Sequence, residues 1–233
     1  MTFLGAYPVL AFISDASIDF TPVDFDSPLT AEQQCYLKEQ TGRDISQVFW
    51  RKQVHGNDVI VVEGMSGRNG CPDADAFVTN TPGIPIAIRT ADCVPVFLYD
   101  PVQNAIGLAH AGWKGTRAQI AVKTVKTMQD KFGSKCYDLK AALGPSIRSC
   151  CYVVGTQFQQ YFPLDVKERG GSLYADVVAV NRRQLIGTGL KPEHITDSGI
   201  CTHCHTVLGA YEYFSFRRDG EKAGRMISLM MIR

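Results

Sequence analysis

The middle of this chain is a succession of short β-branched and aromatic runs, each cut off by a Gly- or Pro-bearing corner, and that pattern constrains the fold more than any other feature. The runs cover residues 48–54, 58–62, 76–79, 85–90, 94–99 and 105–109. They are too short for helices and have the composition of strands, so the centre of the chain is expected to be a sheet. Helical signals surround it. Thr30-Ala31-Glu32-Gln33 has the form of a capping box and predicts a helix to about Thr41, stopped by Gly42. Ala121, Val125, Met128 and Phe132 recur at helical spacing up to Gly133. Residues 139–143 read as a strand, residues 153–162 as a helix, and Asp176 as the cap of a helix reaching about Ile186. Residues 213–216, the Arg218-Asp219-Gly220 turn and residues 226–232 predict a terminal hairpin. Strands outnumber helices but the two mix throughout. The expected fold class is therefore an α/β (α+β) sandwich, a mixed β-sheet core flanked by helices. With no linker-like stretch and no repeat, one domain over residues 1–233 is expected.

A hydrophobic content of 45% supports a real core, and a formal net charge of +1 supplies no global field for nucleic acid or anionic lipid. Arg182-Arg183 and Arg217-Arg218 are expected to be local pairs on solvated faces or in ion pairs. No run approaches the roughly 20 apolar residues that cross a bilayer. The first 13 residues are apolar but lack a basic leader and are interrupted by Pro8, which predicts a first strand rather than a signal peptide. Eight cysteines without an export signal imply a reduced, cytoplasmic protein, with Cys35, Cys71 and Cys136 as small, partly buried hydrophobes. Neither a nucleic-acid, a membrane nor a protein partner is expected.

Three residues with chemistry to offer stand at the corners of the strand-like runs. His55 lies in Gln53-Val54-His55-Gly56, Cys93 in Thr90-Ala91-Asp92-Cys93-Val94-Pro95, and His110 in Ala109-His110-Ala111-Gly112-Trp113-Lys114-Gly115. Two imidazoles and a thiolate make a three-donor set that leaves a fourth position open, the pattern of a catalytic zinc. The same residue types serve as a thiolate nucleophile with its base, or, with an axial Met, as a blue-copper site. For a proton-carrying carboxylate the sequence offers Asp92 and Asp75; in a regular strand Asp92 would face away from Cys93. Gly144-Pro145-Ser146-Ile147 before Cys150-Cys151 reads as a turn that seals a pocket, with the adjacent cysteines pointing different ways. Cys201-Thr202-His203-Cys204-His205 contains the c-type haem attachment pattern, which needs export, and three donors for a second zinc in Cys201, Cys204 and His205. The expectation here is a piece of the fold.

The motifs at His55, Cys93 and His110, Gly144-Pro145-Ser146-Ile147, Cys150-Cys151-Tyr152 and Phe214-Ser215-Phe216-Arg217-Arg218-Asp219-Gly220 occur in an order and spacing that resembles the YfiH-like laccase-domain family, also called multicopper polyphenol oxidase or peptidoglycan editing factor proteins and multifunctional purine nucleoside phosphorylases. The likeness runs from about residue 48 to the C-terminus. It implies a cytotoxic-necrotizing-factor/YfiH-like fold, with His55, Cys93 and His110 converging as metal ligands and catalytic residues, zinc as cofactor and copper as the alternative. It implies phosphorolysis of adenosine, inosine and methylthioadenosine, and deamination of adenosine to inosine, so nucleoside and phosphate are the expected partners. Lys114, Arg148 and Arg217 are the expected phosphate-side cations. The alternatives it leaves open are a Cys/His amide hydrolase acting on a peptidoglycan precursor and a copper-dependent polyphenol oxidase. The N-terminal part departs from the family pattern: where relatives carry Phe-Ser-Thr-Arg, this chain has Phe12-Ile13-Ser14-Asp15.

Overall fold

The computed structural model describes residues 1–3, 7–22, 26–65 and 71–233. In chain order, β1 (Thr2–Phe3) and β2 (Val9–Ile13) precede helix α1 (Ala31–Thr41). Then come β3 (Val59–Val61), β4 (Ala76–Thr79), β5 (Ile86–Thr90), β6 (Val94–Asp100) and β7 (Ala105–Ala111). Helices α2 (Trp113–Arg117) and α3 (Ile120–Phe132) follow, then β8 (Lys140–Leu143), β9 (Val153–Val154), α4 (Gln157–Tyr161), β10 (Val166–Arg169), β11 (Ser172–Ala175) and α5 (Val177–Gly187). The chain ends with β12 (Ile195–Asp197), β13 (Thr206–Val207), β14 (Ala210–Tyr211), α6 (Phe216–Asp219) and β15 (Met226–Ile232).

Two sheets stack at the centre. One has the order β12-β8-β6-β7-β4-β3, parallel at both edges and antiparallel between; the other is antiparallel in the order β1-β2-β15-β5. Because successive side chains in a strand face opposite ways, each strand serves two cores. In β6, Val94, Val96 and Leu98 pack toward α3 and α5, whereas Phe97 and Tyr99 enter the seam between the sheets. In β15, Met226, Met230 and Ile232 line that seam, and Ile227, Leu229 and Met231 pack with Leu37 of α1. Burial on both faces explains why these strands read as unbroken apolar runs. The resulting order of layers is helices, sheet, sheet, helix, the sandwich expected from the sequence.

Several elements match their local signals. Thr30 closes a full capping box on α1 and Gly42 ends it at φ 68°; Asp176 accepts from the Ala179 amide at the start of α5. Other expectations fail. Residues 48–54 form no strand, and only Phe49 bridges to Ile86. The helix expected over 153–162 is a two-residue strand followed by the five-residue α4. No terminal hairpin forms: Ser215 accepts from the Arg218 amide and starts α6 instead, and β15 pairs with the distant β2 and β5. The single strand expected over residues 1–13 is two antiparallel strands, β1 and β2, with residues 4–6 outside the described set. Cys136 is buried and Cys71 half-buried as expected, but Cys35 is exposed on α1.

Candidate metal centre and cleft

The site lies where the seam between the sheets opens. β7 alternates Ile106 and Leu108 into the seam, so His110, in the same phase, points there too, at the strand's end. Cys93 directly precedes β6, which pairs with β7 through Pro95 and His110. His55 comes from a corner held against both. One ligand atom from each of His55, Cys93 and His110 lies within 4.8 Å of the others. The Cys93 Sγ is 3.9 Å from His55 Nε2, and the two imidazole centroids are 4.8 Å apart at 74°. The convergence that the sequence could not show by itself is present.

Asp75 organises this cluster. It is fully buried, and its Oδ1 accepts from His110 Nδ1 at 2.8 Å, which leaves the far ring nitrogen of His110 to face the cleft. The same carboxylate accepts from the backbone N–H groups of Val54 (3.1 Å), His55 (3.0 Å) and Gly56 (2.8 Å). Three successive amides wrapped on one anion form a nest, and it holds His55 at φ 59°, a left-handed conformation that costs free energy without such support. One side chain thus sets both the ring of His110 and the backbone of His55. This is the carboxylate–histidine arrangement that orients metal ligands; Asp75 is a positioning residue, not the free proton carrier allowed by the sequence.

Burial alone would raise the Cys93 thiol, but His110 beside it and hydrogen bonding to both imidazoles outweigh that and bring it down to about 6. Burial would lower His110, yet the Cys93 sulfur and then Asp75 push it up to about 9. For Asp75, burial opposes ionisation, and the His110 hydrogen bond followed by the Gly56 and Val54 amides holds its carboxyl below the usual range. Without an ion the cluster therefore pairs a Cys93 thiolate with a His110 imidazolium whose Nδ1 is committed to Asp75, and an ion bound there would displace the proton on the far His110 nitrogen. The donor set suits one borderline-soft divalent ion with an open position.

Close packing of backbone completes the floor. A Cβ on Gly112 would stand 2.9 Å from Cys93 Sγ and 2.9 Å from His55 Cδ2, and one on Gly115 would stand 3.0 Å from the Gly56 carbonyl oxygen. Glycine at these places lets α2 approach Cys93, His55 and the Gly56 backbone, which gives the His110-to-Gly115 motif a steric meaning.

Around the centre is a cleft of about 870 Å³ lined by Lys52, Arg89, Lys114, Arg217 and Arg225 and by the rings of Trp113, Tyr152 and Phe216. Burial first, then repulsion from Arg225, brings the Arg89 guanidinium down to about 10, so two cations share one wall. Of the three cations expected from sequence, Lys114 and Arg217 line the cleft and Arg148 does not. Arg148 is spent elsewhere: Nη1 donates to Asp197 at 2.8 Å, Nη2 to Ser198 at 3.1 Å and Nε to the Ile200 carbonyl at 3.1 Å. Lys52, Arg89 and Arg225 were missed because a lone basic residue carries no sequence signal. Asp92 sits at φ 88° between β5 and β6, and its carboxylate accepts from Thr202 Oγ1 (2.7 Å) and the Arg217 amide (2.6 Å). It is a tie between loops. Arg183 pairs with Asp165 and Arg218 with Asp219, so these arginines are structural, as expected.

The comparisons agree with this fold. Purine nucleoside phosphorylase YlmD of Bacillus subtilis is 34% identical over 210 residues, covering 84% of this chain and 74% of the relative. The crystal structure of Bacillus licheniformis hypothetical protein YfiH superposes with a TM-score of 0.82 at 28% identity, over 97% of this chain and 93% of that one. That of YlmD from Geobacillus stearothermophilus gives a TM-score of 0.81 at 27% identity, over 97% and 92%. The family described as multi-copper polyphenol oxidoreductase laccase matches residues 23–233, and the chain belongs to it, the YfiH-like laccase-domain family.

Proposed function

We propose that this protein is a purine nucleoside phosphorylase with a zinc-binding centre, acting on adenosine, inosine and methylthioadenosine, and that it also deaminates adenosine to inosine. The observation that carries the reading is the meeting, in one cleft, of the His55, Cys93 and His110 donors with the cationic wall of Lys52, Arg89, Lys114, Arg217 and Arg225. The name of the Bacillus subtilis relative supports the substrate class.

His55, Cys93 and His110 would hold the ion. The chemistry such an ion supplies when bound is Lewis acidity, which makes water ionise near neutral pH. In phosphorolysis a phosphate oxygen forms a bond to C1′ as the C1′–N9 bond breaks, the base leaves with the bonding pair and takes up a proton, and ribose 1-phosphate remains. The cationic wall suits the dianionic phosphate and holds it beside the sugar. Trp113, Tyr152 and Phe216 offer faces for the base, and a cleft of about 870 Å³ has room for nucleoside and phosphate together. In deamination, water adds at C6 and ammonia leaves.

Zinc is favoured over copper by the donors. The chain has five histidines, of which His194 bonds the Leu139 carbonyl and His205 pairs with Glu212, so few remain for a multi-copper centre. Among the described residues lining the cleft none is Met, the axial partner of a blue-copper site.

One observation favours a second reading. Cys93, His110 and Asp75 stand as thiolate, imidazolium and orienting carboxylate, the arrangement of a thiol amide hydrolase acting on a peptidoglycan precursor. Incubating the protein with adenosine and phosphate and resolving adenine, inosine and ribose 1-phosphate by chromatography separates the two. Phosphate-dependent adenine release that falls at least about a hundredfold in Cys93→Ala, together with loss of bound zinc, supports the phosphorylase. Zinc-free protein that is silent on nucleosides but cleaves amides, and is blocked by a thiol alkylator, would reverse the choice.

A further inference from the structure

A second cluster of metal-binding side chains lies outside the cleft. Cys150, Cys151, Cys201 and Cys204 each offer a sulfur, and the four lie within 4.8 Å of one another. Cys150 and Cys151 were expected to point apart, and His205 was weighed as a ligand with Cys201 and Cys204. The tertiary structure changes both: the adjacent cysteines converge on one point, and His205 pairs with Glu212 at 2.9 Å.

We propose that these four cysteines form a tetrathiolate zinc site that staples the loop after β8 to the loop after β12. Sulfurs about 2.3 Å from a tetrahedral ion stand about 3.8 Å from each other, and Cys150 Sγ is 3.8 Å from Cys204 Sγ. A disulfide would need about 2.05 Å, and all four are free thiols. An iron–sulfur cluster, with several metal atoms and bridging sulfides between the cysteines, would spread them further than a single ion does. The local backbone is also compact: the His205 amide returns to the Cys201 carbonyl at 2.9 Å, forming a tight Cys-x-x-Cys turn. On binding, the four thiols release their protons to solvent and become the ligands.

The two loops already touch through backbone. Ser146 bridges to Cys201, its amide donates to the Ile200 carbonyl at 3.3 Å, and the Thr202 amide donates back to the Ser146 carbonyl at 3.2 Å. From there the link reaches the cleft: Ile147 N–H donates to the Asp92 carbonyl at 2.9 Å and Thr202 Oγ1 to the Asp92 carboxylate at 2.7 Å, next to Cys93. An ion at the four sulfurs thus braces the backbone that presents Cys93, without touching substrate. The site is independent of the purine nucleoside reading.

The test uses reduced full-length protein. In the Cys93→Ala background, which removes the cleft centre, metal analysis should find about one zinc per chain, and cobalt(II) in its place should give the intense charge-transfer and visible bands of a tetrahedral thiolate. Adding Cys151→Ser and Cys204→Ser should take zinc to about zero and abolish those bands. Because those variants could fold poorly, the unmutated chain supplies a second readout: zinc should slow alkylation of all four cysteines at least about tenfold relative to chelator-treated protein. Cys93→Ala protein without metal, equal alkylation with and without zinc, iron with acid-labile sulfide, or a disulfide among the four in the reduced protein would each overturn the proposal.

Discussion

Asp75 shows how much one side chain can decide. Its two oxygens serve the His110 ring and three backbone amides while fully buried. Asp75→Asn keeps the shape but turns one acceptor into a donor that faces N–H groups, so the nest loosens and His55 and His110 lose their fixed orientation. We expect stability to fall by about 2–4 kcal/mol and zinc affinity by about 10–100-fold, read by chemical denaturation and by chelator competition. Gly112 gives a cleaner separation of folding from binding. Its φ of −68° suits any residue, so Gly112→Ala carries no backbone strain, but the new Cβ crowds Cys93 Sγ and His55 Cδ2 at 2.9 Å each. Thermal stability without metal should stay within about 1 kcal/mol of the parent, with at least about tenfold weaker zinc binding; unchanged affinity would show that the ligands do not converge there. At this scale residue types were legible and partnerships were not. Asp75 stood in the sequence as one of two unassigned carboxylates, because a buried acceptor is identified only by the donors that surround it.

Among the elements, α3 lies close against β7. A Cβ on Gly107 would meet Met128 Sδ at 2.9 Å and Thr124 Cγ2 at 3.1 Å, so Gly107 lets the helix lie close against the sheet carrying His110. Gly107→Ala should cost about 1–3 kcal/mol by overpacking, measured as a lower urea midpoint at unchanged m-value. The end of β12 carries a pH dependence. Burial opposes ionisation of Asp197, and the Arg148 guanidinium and the Gly199 amide hold its carboxyl below the usual range. A group lowered on folding contributes stability that is complete above its unfolded pKa and is lost as pH falls through its folded pKa. Melting temperature should therefore drop on acidification below about pH 4, and Asp197→Asn should flatten that part of the profile. Helices α1, α3 and α5 were legible because their caps and stripes are local. The region of residues 48–54 and the terminal hairpin were not, since β-rich composition shows that a segment can be a strand and leaves the partner open.

Across the whole molecule, Asp92 joins pieces far apart in sequence: Thr202 by its side chain, Arg217 by its amide, and Ile147 through the Asp92 carbonyl. Its φ of 88° is tolerable to Asn, so Asp92→Asn isolates the loss of an acceptor facing the Arg217 N–H at 2.6 Å. We expect about 1–3 kcal/mol of destabilisation and faster amide exchange around residues 145–152 and 200–205, with α1 and β2 unaffected; a uniform rise in exchange would refute a local tie. By itself the sequence determined the layer class, the principal helices and the identity of the three donors, since hydrophobic period, capping chemistry and ordered motifs are all written locally. Tertiary structure alone decided that β15 would close the second sheet, that Arg148 would leave the cleft while Arg89 and Arg225 entered it, that Asp75 would hold both His55 and His110, and that four scattered cysteines would meet. Those outcomes depend on distances between segments tens of residues apart. Such distances are set by the packing of the sheets, and no local pattern encodes them.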